Sequence, residues 1–421
     1  MSHSSLSHLA ETLSGSEIVK LGNAISERIR NGEKIYNYTI GDFDPAVFPI
    51  PRELEEAIVK AYRQRQTSYP PADGILELRS AVSAFIAQRE GLNYGANEIL
   101  IASGGRPLIY TFFKTIVDKG DKVIYPVPSW NNNHYVHLTD GQHCAIECTR
   151  ENNFMPTAAD ILPHIKDATL ICLCTPQNPT GTTLSEAALA EICDMILAEN
   201  KNRPAGRKKL YLMYDQMYWT LTYDGTHHHN PVSLRPDMKA YTVFIDGISK
   251  SFAATGVRVG WALGPAEVIA KMKSLLSHVG AWAPMAEQRA VASYLPQTDA
   301  INAYLAHFKQ ELRERLQRIY NGLIALKEKG YPVDAVAPEA AIYLTVRFDL
   351  VGKKTGTELL STQANVTSYI LGEAKLAVVP FSAFGGGSKS PWYRLSVGTC
   401  LKEEIDEMLG KLESALSRLS W

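Results

Sequence analysis

Between about residues 98 and 264, short apolar runs alternate with helix-like stretches, and few architectures accommodate that alternation. The runs are Glu98–Ser103, Lys122–Val127, Cys144–Cys148, Ala168–Thr175, Lys209–Asp215, Tyr241–Asp246 and Arg258–Gly264. Several are nearly continuous in Ile, Val, Leu and Tyr, the pattern of strands buried on both faces. Strand and helix in succession predict an α/β fold with a mostly parallel, seven-stranded sheet flanked by helices.

Past residue 300 the period changes. Ile301, Tyr304, Leu305, Phe308, Leu312, Leu316, Ile319, Leu323 and Leu326 recur every three or four positions with charged residues between them. One long amphipathic helix is expected there, ending near Lys329-Gly330. Strand-like segments at Ala341–Phe348 and Trp392–Val397, then a closing helix from about Lys402, predict a smaller α+β unit. The turn-rich residues 1–50 are expected to pack with it. The expected division is a large domain over residues 51–299 and a small domain built from both termini, 1–50 and 300–421.

A chain of 421 residues can bury its core without disulfides or metals as staples. Its 43 basic and 44 acidic side chains leave a net charge of −1, which supplies no global field to gather nucleic acid. A 45% hydrophobic and 21% charged composition excludes a disordered chain. The six cysteines include no Cys-x-x-Cys, and Cys172 and Cys174 fall inside an apolar run, so they read as small buried hydrophobes. The opening Met1–His8 lacks the basic start and apolar core of a secretory signal, and no apolar stretch approaches the ~18 residues of a membrane span. These observations predict a cytoplasmic protein with neither a membrane nor a nucleic acid as partner.

Open parallel sheets bind ligands beyond the carboxyl ends of their strands. Ser103-Gly-Gly-Arg106 follows the first predicted strand, Pro128-Ser-Trp130 the second and Thr175-Pro-Gln-Asn-Pro-Thr-Gly181 the fourth. Asp215-Gln-Met-Tyr218 follows the fifth, and Asp246-Gly-Ile-Ser-Lys-Ser251 the sixth. Singly, each has an ordinary reading: a tight turn at Gly104-Gly105, a core Trp130, a turn at Asn178, a helix cap at Asp215, a solvated charge at Lys250. Their joint placement at strand ends argues for a site.

Chemistry gives the set a purpose. A lysine amine condenses with an aldehyde to a Schiff base, but its reference pKa of about 10.4 demands a dry or cationic setting. A pyridine aldehyde with a phosphate tail needs an amine, an acid for the ring nitrogen, donors for the phenolic oxygen, an aromatic for the ring face and an anion cradle. Lys250, Asp215, Asn178 with Tyr218, Trp130 and Ser103-Gly104-Gly105 meet those needs in turn. The coenzyme so described is pyridoxal 5′-phosphate, an electron sink for carbanions.

Gly41, Tyr69 with Gly74 and Leu78-Arg79, Ser103-Gly104-Gly105, Trp130, Asn178-Pro-Thr-Gly181, Asp215 and Tyr218, Ser249-Lys250 with Gly256-Val-Arg258, and Arg394 occur in this order from about residue 35 almost to the end. In them the chain resembles the class I/II pyridoxal-phosphate-dependent aminotransferases of the aspartate aminotransferase family, fold type I. The most specific stretch is Ser249–Trp261, with an arginine eight residues beyond the lysine.

The resemblance implies that Lys250 holds the coenzyme and shuttles a proton, that Asp215 keeps the pyridine nitrogen protonated, that Asn178 and Tyr218 bond the phenolic oxygen, and that Trp130 stacks on the ring. It places Arg258, Ser103 and the backbone of Gly104 and Gly105 on the phosphate. Arg394 would clamp the substrate carboxylate, with Gly41, Trp130 and Asn178 beside it. Tyr69 would reach the phosphate of a neighbouring subunit, which implies a homodimer with active sites at the interface.

There are departures from the family pattern. Gly247 stands where many relatives carry a phosphate-binding Ser or Thr, leaving Ser249 or Ser251 to compensate. Gln216 replaces an acid, Phe381 replaces a glycine, and Arg106 either adds charge near the phosphate or faces solvent. No metal is expected: His227-His-His229 reads as a turn, His134 and His137 as structural, and Gly385–Ser390 as a surface loop.

The expected reaction is transamination between an aspartate-like or aromatic L-amino acid and a 2-oxo acid, with ping-pong kinetics and Lys114 as a candidate reader of a distal carboxylate. The alternatives are another reaction on the same coenzyme (C–S β-lyase, decarboxylase or cyclising synthase) or a non-catalytic effector-sensing module. The last would need a DNA-binding region, for which the residues before the match are too few.

Overall fold

The computed structural model describes residues 5–13, 15 and 17–420; Met1–Ser4 of the opening stretch lie outside the described residues. Seven strands form the large sheet: β1 (Ile99–Ala102), β2 (Lys122–Val127), β3 (Gln142–Glu147), β4 (Ala168–Cys174), β5 (Tyr211–Asp215), β6 (Thr242–Gly247) and β7 (Gly260–Leu263). Their spatial order is β1-β7-β6-β5-β4-β2-β3. Only β7 runs antiparallel to its neighbours; the other pairings are parallel.

Alternation along each strand sorts side chains to two cores. Ile99 and Ile101 face one layer with Phe244 and Trp261, against helices α1 (Leu76–Glu90), α3 (Glu186–Asn202) and α6 (Met285–Tyr294). Leu100 and Ala102 face the other, against α2 (Gly105–Ile116) and α5 (Ala266–Val279), while the short α4 (Ile248–Ser251) follows directly on β6. Because both faces are covered, β6 is buried along its whole length, which explains its unbroken apolar signal. The third strand begins earlier than its apolar run predicts, at Gln142 rather than Cys144. It is the edge strand, and its outward side chains left no hydrophobic mark.

The predicted long helix is α7, Thr298–Glu328. Its stripe of Phe308, Leu312, Leu316, Ile319 and Leu323 packs on a four-stranded antiparallel sheet of β8 (Val333–Ala335), β9 (Tyr343–Phe348), β10 (Val379–Pro380) and β11 (Trp392–Ser396), ordered β10-β11-β9-β8. Helix α8 (Ile405–Ser417) closes this layer through Met408 and Leu412. In the N-terminal segment, Tyr36–Asn37 pairs in parallel with Leu376–Ala377, and Tyr36, Tyr38, Phe43 and Phe48 enter the same core. The protein is therefore an α/β fold with a large, mostly parallel sheet and a smaller α+β layer.

All six cysteines are free, and Cys172 is fully buried, as its apolar neighbours imply. Among the described residues, no helix is long and apolar enough to cross a membrane.

Candidate active site

The carboxyl ends of β1, β2, β4, β5 and β6 open on one cleft of about 380 Å³. Five strand-end segments predicted to converge do so: Gly105 and Arg106, Trp130, Asn178, Asp215 with Tyr218, and Ser249 with Lys250 all line it. Arg258 joins them from the loop before β7, while Gly41 and Arg394 close it from the side of the small sheet. Trp130 forms part of the wall, and the Arg106 guanidinium lies over its ring at 4.6 Å from the centroid.

Ser103 and Gly104 sit just behind this wall rather than on it. The carbonyl of Ser103 accepts a hydrogen bond from Arg258 Nη2 at 2.8 Å. Gly104 has φ +82°, and a Cβ there would lie 2.4 Å from the same guanidinium, so only glycine permits the approach. Tyr69 stands outside the cleft of its own chain, 87% exposed, with its ring edge-on to Trp282 at 5.6 Å. Lys114 is exposed on the last turn of α2 and does not line the cleft.

The departures from the family pattern have local causes. A Cβ on Gly247 would meet the Val259 carbonyl and Gly260 Cα at 2.8 Å, so a hydroxyl-bearing residue has no room there. Of the two nearby serines, Ser249 lines the cleft, while Ser251 Oγ accepts from Thr220 Oγ1 at 3.0 Å. Gln216 turns away into a buried polar chain: its Nε2 donates to Glu90 Oε1 at 2.7 Å, and His228 Nε2 approaches its Oε1 at 3.4 Å. Burial pushes the Glu90 carboxyl well up and the His228 imidazole down to about 3. Phe381 packs with Phe154 and Trp392, outside the cleft, and Phe384 instead reaches the site, 4.9 Å below Arg394.

Five side chains dominate the electrostatics. Lys250 Nζ donates to the Gly41 carbonyl at 2.5 Å. Its pKa is lowered to about 8, first by burial and then by Arg394, Arg106 and Arg258, against an opposing pull from Asp42. Burial raises Asp215 to about 6, partly offset by Met217 N donating to its Oδ1 at 3.1 Å. Tyr218 and Tyr343 bring their hydroxyl oxygens to 2.6 Å. Arg394 is buried; Nη1 donates to Asn178 Oδ1 at 2.9 Å and Nη2 to the Thr39 carbonyl at 2.7 Å, while Nε has no partner among the described residues.

The profile of the family described as "Aminotransferase class I and II" matches residues 34–412. The chain belongs to that family. Aspartate aminotransferase of Rhizobium meliloti (strain 1021) is 30% identical over 411 residues, covering 96% of this chain and 94% of its own; that of Bacillus sp. (strain YM-2) is 29% identical, covering 97% and 98%. Among solved structures, the Rhizobium meliloti aspartate aminotransferase superposes with a TM-score of 0.89 at 29% identity over 99% of both chains. The Thermus thermophilus enzyme with maleate gives 0.87 at 26% over 98% and 100%. An aromatic aminotransferase of Pyrococcus horikoshii OT3 gives 0.81 at 25% over 93% and 98%. This aminotransferase thus has fold type I, and it is a transaminase.

Aminotransferases of this fold are pyridoxal-phosphate enzymes, and the donor set in the cleft fits that coenzyme: a half-buried amine, a half-buried acid, two hydroxyls, an aromatic wall and a guanidinium beside a glycine pair. Sequence reasoning missed Tyr343, Ile18 and Val19 among the lining residues and left Arg106 open between the phosphate and solvent. Arg106 lay inside a recognised motif, but its stacking on a residue from another strand left no mark. Tyr343 sits in a run read only as a strand. Ile18 and Val19, from the helix Glu17–Arg30, reach the cleft mouth without any local signal. Among the described residues, no group of three or more His, Cys, Asp or Glu side chains could hold a metal ion.

Proposed function

We propose that this aminotransferase binds pyridoxal 5′-phosphate on Lys250 and exchanges amino groups between a dicarboxylic or aromatic L-amino acid and a 2-oxo acid. The observation that carries the reading is the half-buried Lys250 amine, sharing one cleft with the half-buried acid Asp215 and the buried guanidinium Arg394. The coenzyme, when bound, supplies an electron sink for the substrate carbon.

The chain's own residues divide the remaining work. Lys250 offers an amine that is partly neutral near pH 7 and, once displaced, takes a proton from the substrate's α carbon. Asp215 holds its charge or proton against the ring nitrogen, with Tyr218 and Asn178 at the phenolic oxygen and Trp130 along the ring. Gly105, Ser249 and Arg258 would form the phosphate end, with Ser103 and Gly104 holding the Arg258 guanidinium from behind. Arg394, flanked by Gly41, receives the α-carboxylate.

Charge counting favours a dicarboxylic partner. The cleft holds three guanidiniums, Arg106, Arg258 and Arg394, and a phosphate plus two carboxylates makes three anions. Arg258 and Arg394 are anchored by hydrogen bonds to the chain, whereas Arg106 is held by the Trp130 ring, which leaves its donors for a distal group. Arg106 therefore replaces Lys114 as the distal reader.

The same reading makes residues 51–299 the coenzyme-binding domain and 1–50 with 300–421 the small domain, supported by largely distinct cores that exchange a few residues: Ile301 and Leu305 enter the large one, and Tyr218, Leu221, Tyr223 and Ala253 the small one. It also makes the working unit a homodimer, because the exposed Tyr69 has no role in its own cleft. The test is direct. The purified protein should show a visible absorption band that borohydride bleaches, with the reduced coenzyme recovered on the peptide containing Lys250. With aspartate and 2-oxoglutarate it should form glutamate stoichiometrically; release of pyruvate and ammonia from one amino acid would identify a lyase instead.

A further inference from the structure

We propose that Tyr343, a residue of the small sheet, is a positioning residue for Tyr218: its hydroxyl donates to the Tyr218 oxygen and frees the Tyr218 hydrogen to point into the cleft. The inference rests on the coenzyme reading above, in which Tyr218 donates to an anionic ring oxygen.

The geometry is specific. The two phenol oxygens lie 2.6 Å apart, and the rings meet edge to face at 5.5 Å and 66°. Two hydroxyls in contact place one hydrogen between them, so the order of donation decides what remains for a third group. If Tyr218 donates to Tyr343, its hydrogen is consumed within the pair. If Tyr343 donates, Tyr218 keeps a free hydrogen, and receiving a hydrogen bond makes it a stronger donor in turn.

The surroundings of Tyr343 select the second order. The Arg394 guanidinium lies over its ring, 4.8 Å from the centroid, nearer than Lys250 Nζ lies to the Tyr218 ring at 6.0 Å, and the closer cation withdraws more charge from the Tyr343 hydroxyl and makes it the better donor. Asp42 and Cys174 act in the opposite sense on this phenol but, like Lys250, make no hydrogen bond to it. Nor can the Tyr343 hydroxyl swing away. A Cβ on Gly41 would already lie 2.9 Å from it, and the Tyr343 carbonyl would meet a Cβ on Gly181 at 2.3 Å, so both ends of the residue are enclosed. Register fixes the rest, since Tyr343 pairs with Ser396 on β11, two residues from Arg394.

Tyr343→Phe tests the idea, because phenylalanine keeps the packing against Arg394 and removes only the hydroxyl. Wild type, Tyr343→Phe, Tyr218→Phe and the double variant are loaded with pyridoxal phosphate, and the visible band is titrated with pH. A donor to the ring oxygen stabilises the chromophore's deprotonated form more than the protonated one, where an internal proton already shares that oxygen. Losing the donor therefore raises the band's apparent pKa. We expect a rise of about 0.5–1 unit in Tyr343→Phe, a larger rise in Tyr218→Phe, and almost no further change when Tyr343→Phe is added to Tyr218→Phe. KM for the amino acid should stay within about twofold, because the Arg394 clamp is untouched. The coenzyme-free Tyr343→Phe protein should melt within a few degrees of wild type, which separates the shift from misfolding.

An unchanged band in Tyr343→Phe, or the same shift in both backgrounds, overturns the role of Tyr343 while leaving the coenzyme reading intact. A wild-type protein that takes up no chromophore overturns both.

Discussion

Arg394 and Asn178 meet across the cleft: Nη1 of the arginine donates to the amide oxygen of the asparagine at 2.9 Å. Arg394 lies in β11 of the small sheet and Asn178 in the turn that ends β4 of the large one. The second nitrogen is held by the Thr39 carbonyl, and the rings of Tyr343 and Phe384 flank the guanidinium at 4.8 and 4.9 Å. Its plane is therefore set before a substrate arrives, which lowers the ordering cost of binding a carboxylate.

Arg394→Lys removes that fork while keeping the charge. A lysine ammonium cannot hold Asn178 and Thr39 and still present two parallel donors. Steady-state kinetics should show kcat/KM falling about 10- to 150-fold for both the amino acid and the 2-oxo acid, as for loss of a charge-assisted hydrogen bond. The absorption band of the bound coenzyme should persist.

Arg106→Gln discriminates between substrate classes. If the guanidinium over Trp130 reads a distal carboxylate, aspartate and 2-oxoglutarate should lose about tenfold or more in kcat/KM, and aromatic amino acids much less. Equal losses would reassign Arg106 to the phosphate. Lys114→Ala, by contrast, should leave both classes unchanged, because that side chain is exposed outside the cleft.

The depressed Lys250 pKa predicts how the coenzyme is captured. Only the neutral amine attacks an aldehyde, and with a pKa of about 8 roughly a tenth of it is neutral at pH 7. Stopped-flow uptake of pyridoxal phosphate by the coenzyme-free protein should accelerate as pH rises toward 8 and level off above it. The same shift has a stability consequence. The folded pKa lies below that of a free lysine, so the contribution is present above about pH 10.5 and lost as pH falls through 8. Lys250→Met should therefore raise the melting temperature of the coenzyme-free protein at neutral pH, abolish transamination and prevent borohydride trapping.

Gly181→Ala probes the turn beneath the site. Gly181 has φ +71°, a Cβ would meet the Tyr343 carbonyl at 2.3 Å, and its own carbonyl accepts from Ala340 N at 3.0 Å. The strain and the overlap together should cost about 2 kcal/mol or more, read as a lower denaturation midpoint.

The sequence made legible whatever is written locally. Six of the seven large-sheet strands were visible because burial on both faces leaves continuous apolar runs, whereas the exposed edge strand β3 showed only from Cys144; Lys250, Asp215 and Asn178 stood out because strand ends in such sheets face ligands. What stayed hidden depends on pairs distant in the chain. Tyr343 meets Tyr218 across 125 residues, and nothing in either neighbourhood marks the other. The absence of a hydroxyl residue at Gly247 became intelligible only when β7 brought the Val259 carbonyl against it. Lys114, the candidate distal reader, stands eight residues beyond Arg106 on α2, a rise of about 12 Å, and its side chain is exposed outside the cleft.

The crowding around Gly41 and Gly181 also limits how this enzyme can be altered. Tyr343 and Arg394 press against the backbone at Gly41 and Gly181, so at the carboxylate end any side chain added at those glycines costs folding. Ile18, Val19, Arg106 and Asn131 edge the opposite side, where a change disturbs little else. New donor preferences, whether drifted into or selected in a library, have their open ground along that rim.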